Sequence, residues 1–219
     1  MTTPKALLVV AKRPTPGQTK TRLTPPLTPE QAAQLYESFL RDTLDLIRRA
    51  PGVRPILAYL PEDEEDYFHA LAPDFELLPQ TGGDLGARLD NALSYCLNDG
   101  FQQAVIMDSD SPTLPAEYLA QAFTALDTAD TVLGPCDDGG YYLIGLKRPT
   151  PRLLREVKMS TPTVTRDTLA LAAQEKLSVA QLPLWYDVDT VAELERLHTE
   201  LRTLSGDRAR HTRAVIGHW

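Results

Sequence analysis

Residues 6–11 read ALLVVA, six apolar residues without a polar break, closed by Lys12-Arg13-Pro14. A strand that is apolar on both faces must be covered on both, which is the situation inside a parallel sheet. Parallel strands cannot be joined by tight hairpins and need crossover segments, usually helices. The rest of the chain supplies them: the spacing predicts helices over 28–50, 64–71, 85–97, 115–126, 151–158, 161–174 and 190–204. Strands are predicted over 53–60, 75–78, 104–107, 131–133, 141–146 and 179–183. Thr28-Pro29-Glu30 opens the first helix with N-cap chemistry and Pro51-Gly52 stops it, while Thr190 with Glu193 makes a capping box for the last. The expected fold class is α/β, an open, mostly parallel central sheet with helices on both faces.

A length of 219 residues suits one large core, so residues 1–204 are expected to form a single domain. After Ser205-Gly206 the periodicity fades and Asp207 is the lone acid among several cations, so 205–219, with His211, His218 and Trp219, reads as a flexible or partner-docked tail. With 22 basic and 30 acidic residues the net charge is -8, which repels a polyanion and argues against nucleic-acid or membrane-surface partners. The N-terminal apolar run is too short for a signal peptide or a membrane span, so a cytoplasmic protein is expected. Cys96 and Cys136 lack metal-type spacing and read as reduced, and His69 and His198 read as solvated.

Five segments carry chemistry. Residues 12–29 hold five prolines and one glycine, too many for helix or strand, and so form a long loop leaving the carboxyl end of the first strand. Lys12, Arg13, Lys20 and Arg22 put four cations into that loop, a local anion site in an acidic protein, with Gly17 allowing close backbone approach; the Walker spacing is absent. MDSDSP (107–112) ends a buried strand with Asp108 and Asp110, and WYDVDT (185–190) adds Asp187 and Asp189 before the last helix. Carboxylates one residue apart can share a hard cation such as Mg²⁺ or Mn²⁺, which accepts oxygen ligands and keeps places for water and substrate phosphates. GPCDDGGYYLIGL (134–146) is a glycine-rich turn exposing Asp137 and Asp138, in which Tyr141 and Tyr142 send one ring to the core and one to a pocket. QTGGDLGARLDNAL (80–93) brings Gly82, Gly83 and Gly86 up to a helix start, where backbone N–H groups can meet a base, ribose or phosphate.

Together and in this order, AKRPTPGQTKTRL, GDLGARL, DSDSPTLP, GPCDDGGYYLIGL and DVDTVAEL resemble the radical-SAM/selenodomain-associated transferase 1 family over about residues 5–203. That family is a branch of the GT-A, nucleotide-diphospho-sugar transferase superfamily, and its first and last motifs also look like those of 2-phospholactate guanylyltransferases and sugar-acid cytidylyltransferases. The resemblance implies the GT-A fold, a Mg²⁺ or Mn²⁺ cofactor, and a nucleotide-binding set of Ala11, Lys12, Gly17, Lys20, Arg22, Gln80, Gly83, Asp84, Arg88 and Asp108. It further implies Lys20, Arg22 and Asp110 as catalytic, Asp138, Gly139, Gly140 and Tyr142 at the acceptor, and Asp108, Asp110, Asp187 and Asp189 at the metal. Family members tend to carry a Gly-Thr-Asp-Cys-Pro turn where this chain has Asp108-Ser109-Asp110-Ser111-Pro112, which makes Asp110 the principal metal ligand. The family label implies a glycosyltransferase acting on a nucleotide sugar and a small-molecule acceptor, with a homodimer left open. Nucleotidyl transfer from an NTP to a phosphorylated or carboxylated acceptor, and a catalytically silent nucleotide-binding domain, are the alternatives.

Overall fold

The computed structural model describes residues 4–217. Helices and strands alternate as β1 (Lys5–Lys12), α1 (Pro29–Arg48), β2 (Arg54–Leu60), α2 (Glu65–Leu71), β3 (Glu76–Pro79), α3 (Leu85–Asn98), β4 (Gln103–Met107) and α4 (Ala116–Leu126). They continue as β5 (Thr131–Pro135), β6 (Tyr141–Leu146), α5 (Arg152–Arg155), α6 (Val164–Gln174), β7 (Val179–Gln181), α7 (Val191–Leu201) and α8 (Arg210–Ile216). The strands form one seven-stranded sheet in the order β3-β2-β1-β4-β6-β5-β7. Only β6 runs antiparallel to its neighbours, so the sheet is mostly parallel as the alternation predicts.

The apolar run of β1 is buried on both faces because the period of a strand sends alternate side chains to opposite sides. Leu7 and Val9 pack under α1, α2 and α4 with Leu40, Leu44, Phe68 and Phe123. Ala6 and Leu8 face the other layer, where α3, α5 and α6 contribute Leu89, Leu93, Leu153, Leu154 and Ala172. Each such aliphatic side chain, fully buried, stabilises the fold by about 1.5–3 kcal/mol. α1 starts as its sequence dictates: the Thr28 hydroxyl accepts from Gln31 N at 3.2 Å, the Gln31 side chain accepts from Thr28 N at 2.9 Å, and Pro29 fills the first turn.

A third cluster lies at one end, where Leu23, Leu35 and Phe39 meet Tyr186, Val188, three leucines of α7 and Ile216 of α8. It clamps the loop after β1 to the segment before α7, which fixes two distant functional stretches against each other. The reading of 205–219 as a flexible tail does not describe α8, which packs along α1. Asp42 of α1 accepts from His211 N at 2.9 Å and Thr212 N at 2.8 Å, so a side chain from another helix caps the start of α8. His218 and Trp219 lie outside the described residues. Cys96 and Cys136 are free and buried, and no described helix is long and apolar enough to cross a membrane.

Candidate functional site

β1 and β4 are paired in parallel, so the loops leaving their carboxyl ends share one space. After β1 the chain makes a tight turn in which Thr19 N donates to Thr15 O at 3.2 Å and Gly17 takes a φ of +75°. It then delivers Lys20 in the left-handed region at φ +50°, a conformation that costs a non-glycine residue about 1–2 kcal/mol. The cost is offset by what Lys20 gains: its ammonium lies 2.7 Å from Asp110 Oδ1 and 2.7 Å from Asp189 Oδ1, with the side chain 5% exposed. Burial alone would lower its pKa, but the two carboxylates outweigh burial and hold it above the ordinary lysine value. Arg22 remains 74% exposed, 4.0 Å from Asp189 Oδ2, and Lys12 is exposed at the end of β1. Arg13 leaves the expected anion site: it pairs with Glu64 at 2.7 Å and stacks on Tyr67 with 3.7 Å to the ring centre.

The two acidic segments meet because Val188 N donates to Asp110 O at 3.0 Å and Ser111 Oγ donates to Tyr186 O at 2.9 Å. Asp187 Oδ1 also lies 3.1 Å from Ser111 Oγ and accepts from the Cys136 thiol at 3.0 Å. Asp108 Oδ1 accepts from Asp110 N at 3.1 Å, while its buried Oδ2 has neither hydrogen-bond nor ion-pair partner among the described residues. Burial, then the Asp187 and Asp110 charges, push the Asp108 carboxyl well above the usual range, and burial with Asp110 does the same to Asp187. Tyr36 of α1 reaches under this loop. Lys12 N donates to its hydroxyl at 3.1 Å, that hydroxyl lies 2.9 Å from Ser109 Oγ, and Ser109 donates to Val10 O at 3.0 Å.

These groups line a cleft of about 660 Å³ whose walls come from α3, β6 and the 159–164 segment. Ala11, Lys12, Lys20, Arg22, Gln80, Arg88 and Asp108 of the expected nucleotide set border it. Gln80 Nε2 donates to Ala11 O at 3.1 Å and Ala58 O at 2.8 Å, which ties the carboxyl ends of β1 and β2 to the cleft floor. Gly17 and Gly83 are exposed outside the lining, and Asp84 acts as the N-cap of α3, accepting from Ala87 N at 2.8 Å. At the expected acceptor side, Asp138 and Gly140 line the cleft. Gly139 instead serves packing, since a Cβ there would meet Pro162 O at 2.0 Å. Both tyrosines of the glycine turn border the cleft, with different parts of the side chain available to it. Tyr142 is the core ring, 1% exposed, donating to Pro183 O at 3.1 Å, so it offers the cleft no hydroxyl. Its neighbour on the opposite face of β6, Tyr141, borders the cleft with its hydroxyl 3.7 Å from Met159 Sδ.

The residues present fit a divalent cation. Oxygen or sulfur atoms of Asp108, Cys136 and Asp187 all lie within 4.8 Å of one another, and the orphaned Asp108 oxygen is a donor without a use inside the protein. The expected principal pair, Asp110 with Asp189, is bridged by Lys20, and Asp187 accepts from Ser111 and Cys136, so the acid least satisfied internally is Asp108. Sequence reasoning passed over Tyr36 and residues 159–162. Tyr36 sits at a helix position that reads as core, and the 159–162 loop carries no charge cluster or glycine signal.

Residues 43–161 match the family described as an uncharacterised protein conserved in bacteria, DUF2064, and the chain belongs to that family. That span includes the Asp108/Asp110 loop and the glycine turn but neither the cationic loop nor Asp187/Asp189. The chain is 28% identical over 137 residues to a 2-phospho-L-lactate guanylyltransferase of Methanothermobacter thermautotrophicus, covering 62% of this chain and 59% of that protein. It is 29% identical over 136 residues to a phosphoenolpyruvate guanylyltransferase of Chloroflexus aggregans, covering 60% of this chain and 67% of the relative. Among solved structures, a protein of Desulfovibrio desulfuricans G20 provisionally named a nucleotide-diphospho-sugar transferase superimposes with a TM-score of 0.92 at 33% identity, over 99% of this chain and 95% of that one. The fold is therefore that of the nucleotide-diphospho-sugar transferases.

Proposed function

We propose that this DUF2064 member is a metal-dependent nucleotidyltransferase: an oxygen of a phosphate or carboxylate acceptor attacks the α-phosphorus of an NTP, one phosphorus–oxygen bond forms, and the bond to the departing pyrophosphate breaks. The observation that carries this reading is the junction of the cationic loop with the acidic pair, Lys20 lying 2.7 Å from both Asp110 and Asp189 beside the unsatisfied Asp108. Phosphoryl chemistry asks mainly for positioning and charge stabilisation, which such a junction supplies. The two guanylyltransferase relatives support the same reaction class. A glycosyl reading draws on the name of the D. desulfuricans protein.

Asp108 and Asp187, with Asp110 and Asp189 beside them, are the residues that would hold Mg²⁺ or Mn²⁺. When bound, such an ion neutralises charge on the reacting phosphates. Lys20 stays protonated and keeps Asp110 and Asp189 in place. Exposed Lys12 and Arg22 at the mouth meet the β- and γ-phosphates and stabilise pyrophosphate as it leaves. Asp138, Gly140 and Tyr141 border the space left for the acceptor. The floor network through Gln80 and Tyr36 holds these groups still, as positioning requires.

The test is release of inorganic pyrophosphate from GTP, CTP, ATP or UTP with phosphoenolpyruvate or 2-phospholactate and Mn²⁺ or Mg²⁺. The expected result is pyrophosphate release that depends on both metal and acceptor. Nucleoside diphosphate released from a nucleotide sugar, with no pyrophosphate from any NTP, replaces the proposal with glycosyl transfer.

A further inference from the structure

Arg88 is the half-buried cation of the cleft that has no partner among the described residues. Lys20 is neutralised by Asp110 and Asp189, and Arg22 points to solvent near Asp189. Arg88 sits in the first turns of α3, half-buried, with no ion pair among the described residues, and its buried Nε has no hydrogen-bond partner. The acid within its own helix, Asp90, is engaged by Arg155, and Asp84, one turn before Arg88, caps Ala87 N. Leu85, Arg88 and Leu89 all border the cleft, as residues three and four apart on one helix face must. Across it stand Met159, Ser160 and Thr161.

The backbone that carries Arg88 is also held. A Cβ on Gly82 would meet Arg88 N at 2.9 Å, so the glycine turn lies directly on it, and a Cβ on Gly86 would meet Leu154 O at 2.2 Å, so α3 is pressed against α5. A guanidinium offers five N–H donors in a planar fork suited to paired carboxylate or phosphate oxygens. Leaving one of those donors desolvated and unpaired is unfavourable unless a ligand completes it.

We infer that Arg88 binds an anionic oxygen pair of the substrate, a carboxylate or phosphate group, and so makes the enzyme selective for acidic substrates. This rests on the nucleotidyl-transfer reading and adds to it the residue that recognises the anionic group. The group belongs either to the acceptor or to the nucleotide, and binding of three probes separates the two sources.

Dissociation constants of GTP, inorganic pyrophosphate and phosphoenolpyruvate are measured calorimetrically with Mn²⁺ present for the wild type, Arg88→Gln and Arg88→Lys. Thermal midpoints confirm that all three proteins are folded. Arg88→Gln is expected to weaken at least one probe about 10- to 100-fold, the range of a lost charge-assisted pair, with partial recovery in Arg88→Lys. Weakening of GTP and pyrophosphate together places the group on the nucleotide, and weakening of phosphoenolpyruvate alone places it on the acceptor. Folded Arg88→Gln with wild-type constants for all three overturns the inference while leaving the nucleotidyl reading intact. A loss confined to GTP places the group on the α-phosphate, which pyrophosphate lacks. A wild type that binds none of the probes overturns both.

Discussion

Two clusters in this protein bring a pair of carboxylates together, and they differ in whether the protein uses every oxygen. On α1, Asp42, Asp45 and His211 converge, yet their oxygens are already used: Asp42 accepts from two backbone N–H groups of α8, and Asp45 pairs with Arg48, Arg210 and His211. At the carboxyl end of the sheet, Asp108, Cys136 and Asp187 converge in a cleft, with one buried Asp108 oxygen left without a partner. A buried carboxylate whose hydrogen bonds are complete belongs to the fold. One left incomplete in a cleft is where a ligand is proposed, because the protein bears the cost of desolvating it without an internal return.

The sharpest way to break that contrast is to remove each acid in turn. Asp108→Asn or Asp187→Asn is expected to lower turnover by roughly 10²–10³-fold, the scale of losing a group that organises transition-state charge. Mn²⁺ is expected to raise the thermal midpoint of the wild type, and each substitution should abolish that rise, since a ligand stabilises only the state that binds it. Without metal the same variants should be no less stable than the wild type, because the buried pair then no longer has to ionise two carboxyls against burial and each other. An unchanged Mn²⁺ response in Asp108→Asn would show that the orphaned oxygen is no ligand.

Asp42→Ala gives the mirror result. It leaves two N–H groups at the start of α8 without their acceptor, which costs about 1–3 kcal/mol in urea unfolding. Turnover and the Mn²⁺ response should stay near wild type. A variant that keeps its stability but loses the metal response would reverse the assignment of the two clusters.

How far each cluster could be read from the chain follows from the same difference. Asp108, Asp110, Asp187 and Asp189 announce themselves because they follow an apolar strand and precede a capped helix, and the paired strands and third core cluster then bring them together. The sheet was legible for a related reason: ALLVVA and its successors are apolar runs of strand length with helical patterns between them. α8 was not, since it has seven residues, begins at Ala209 in the left-handed region without a side-chain cap of its own, and takes its acceptor from Asp42, 170 positions from Thr212. Local sequence cannot display a cap supplied from another helix. Which tyrosine of β6 is the core ring was not legible either, because Tyr141 and Tyr142 are equivalent in composition and only the packing around the strand decides which face is core. Arg13 was counted with the phosphate loop because its charge is visible in the sequence and its partner Glu64 is not.

The smallest effect concerns the link between the acidic turn and the frame around it. Lys12 N, the Tyr36 hydroxyl, Ser109 Oγ and Val10 O form a continuous chain of hydrogen bonds from the cationic loop, through α1, to the Asp108–Asp110 turn. Tyr36→Phe removes the central oxygen and keeps the ring, so the expected loss is about 0.5–1.5 kcal/mol of stability, together with a KM increase of only a few-fold for the nucleotide and little change in kcat. Burial, and then the Asp110 charge, push the phenol up to about 12 from its ordinary 10.0. A folded pKa above the unfolded one means that this contribution is fully present below 10.0 and is lost only as pH rises towards about 12. The stability difference between Tyr36→Phe and the wild type should therefore be flat between about pH 6 and 9. A difference that instead varied steeply in that range would mean that the hydroxyl is coupled to the titration of the neighbouring acids, and that Tyr36 belongs with the cluster held for a ligand rather than with the frame around it.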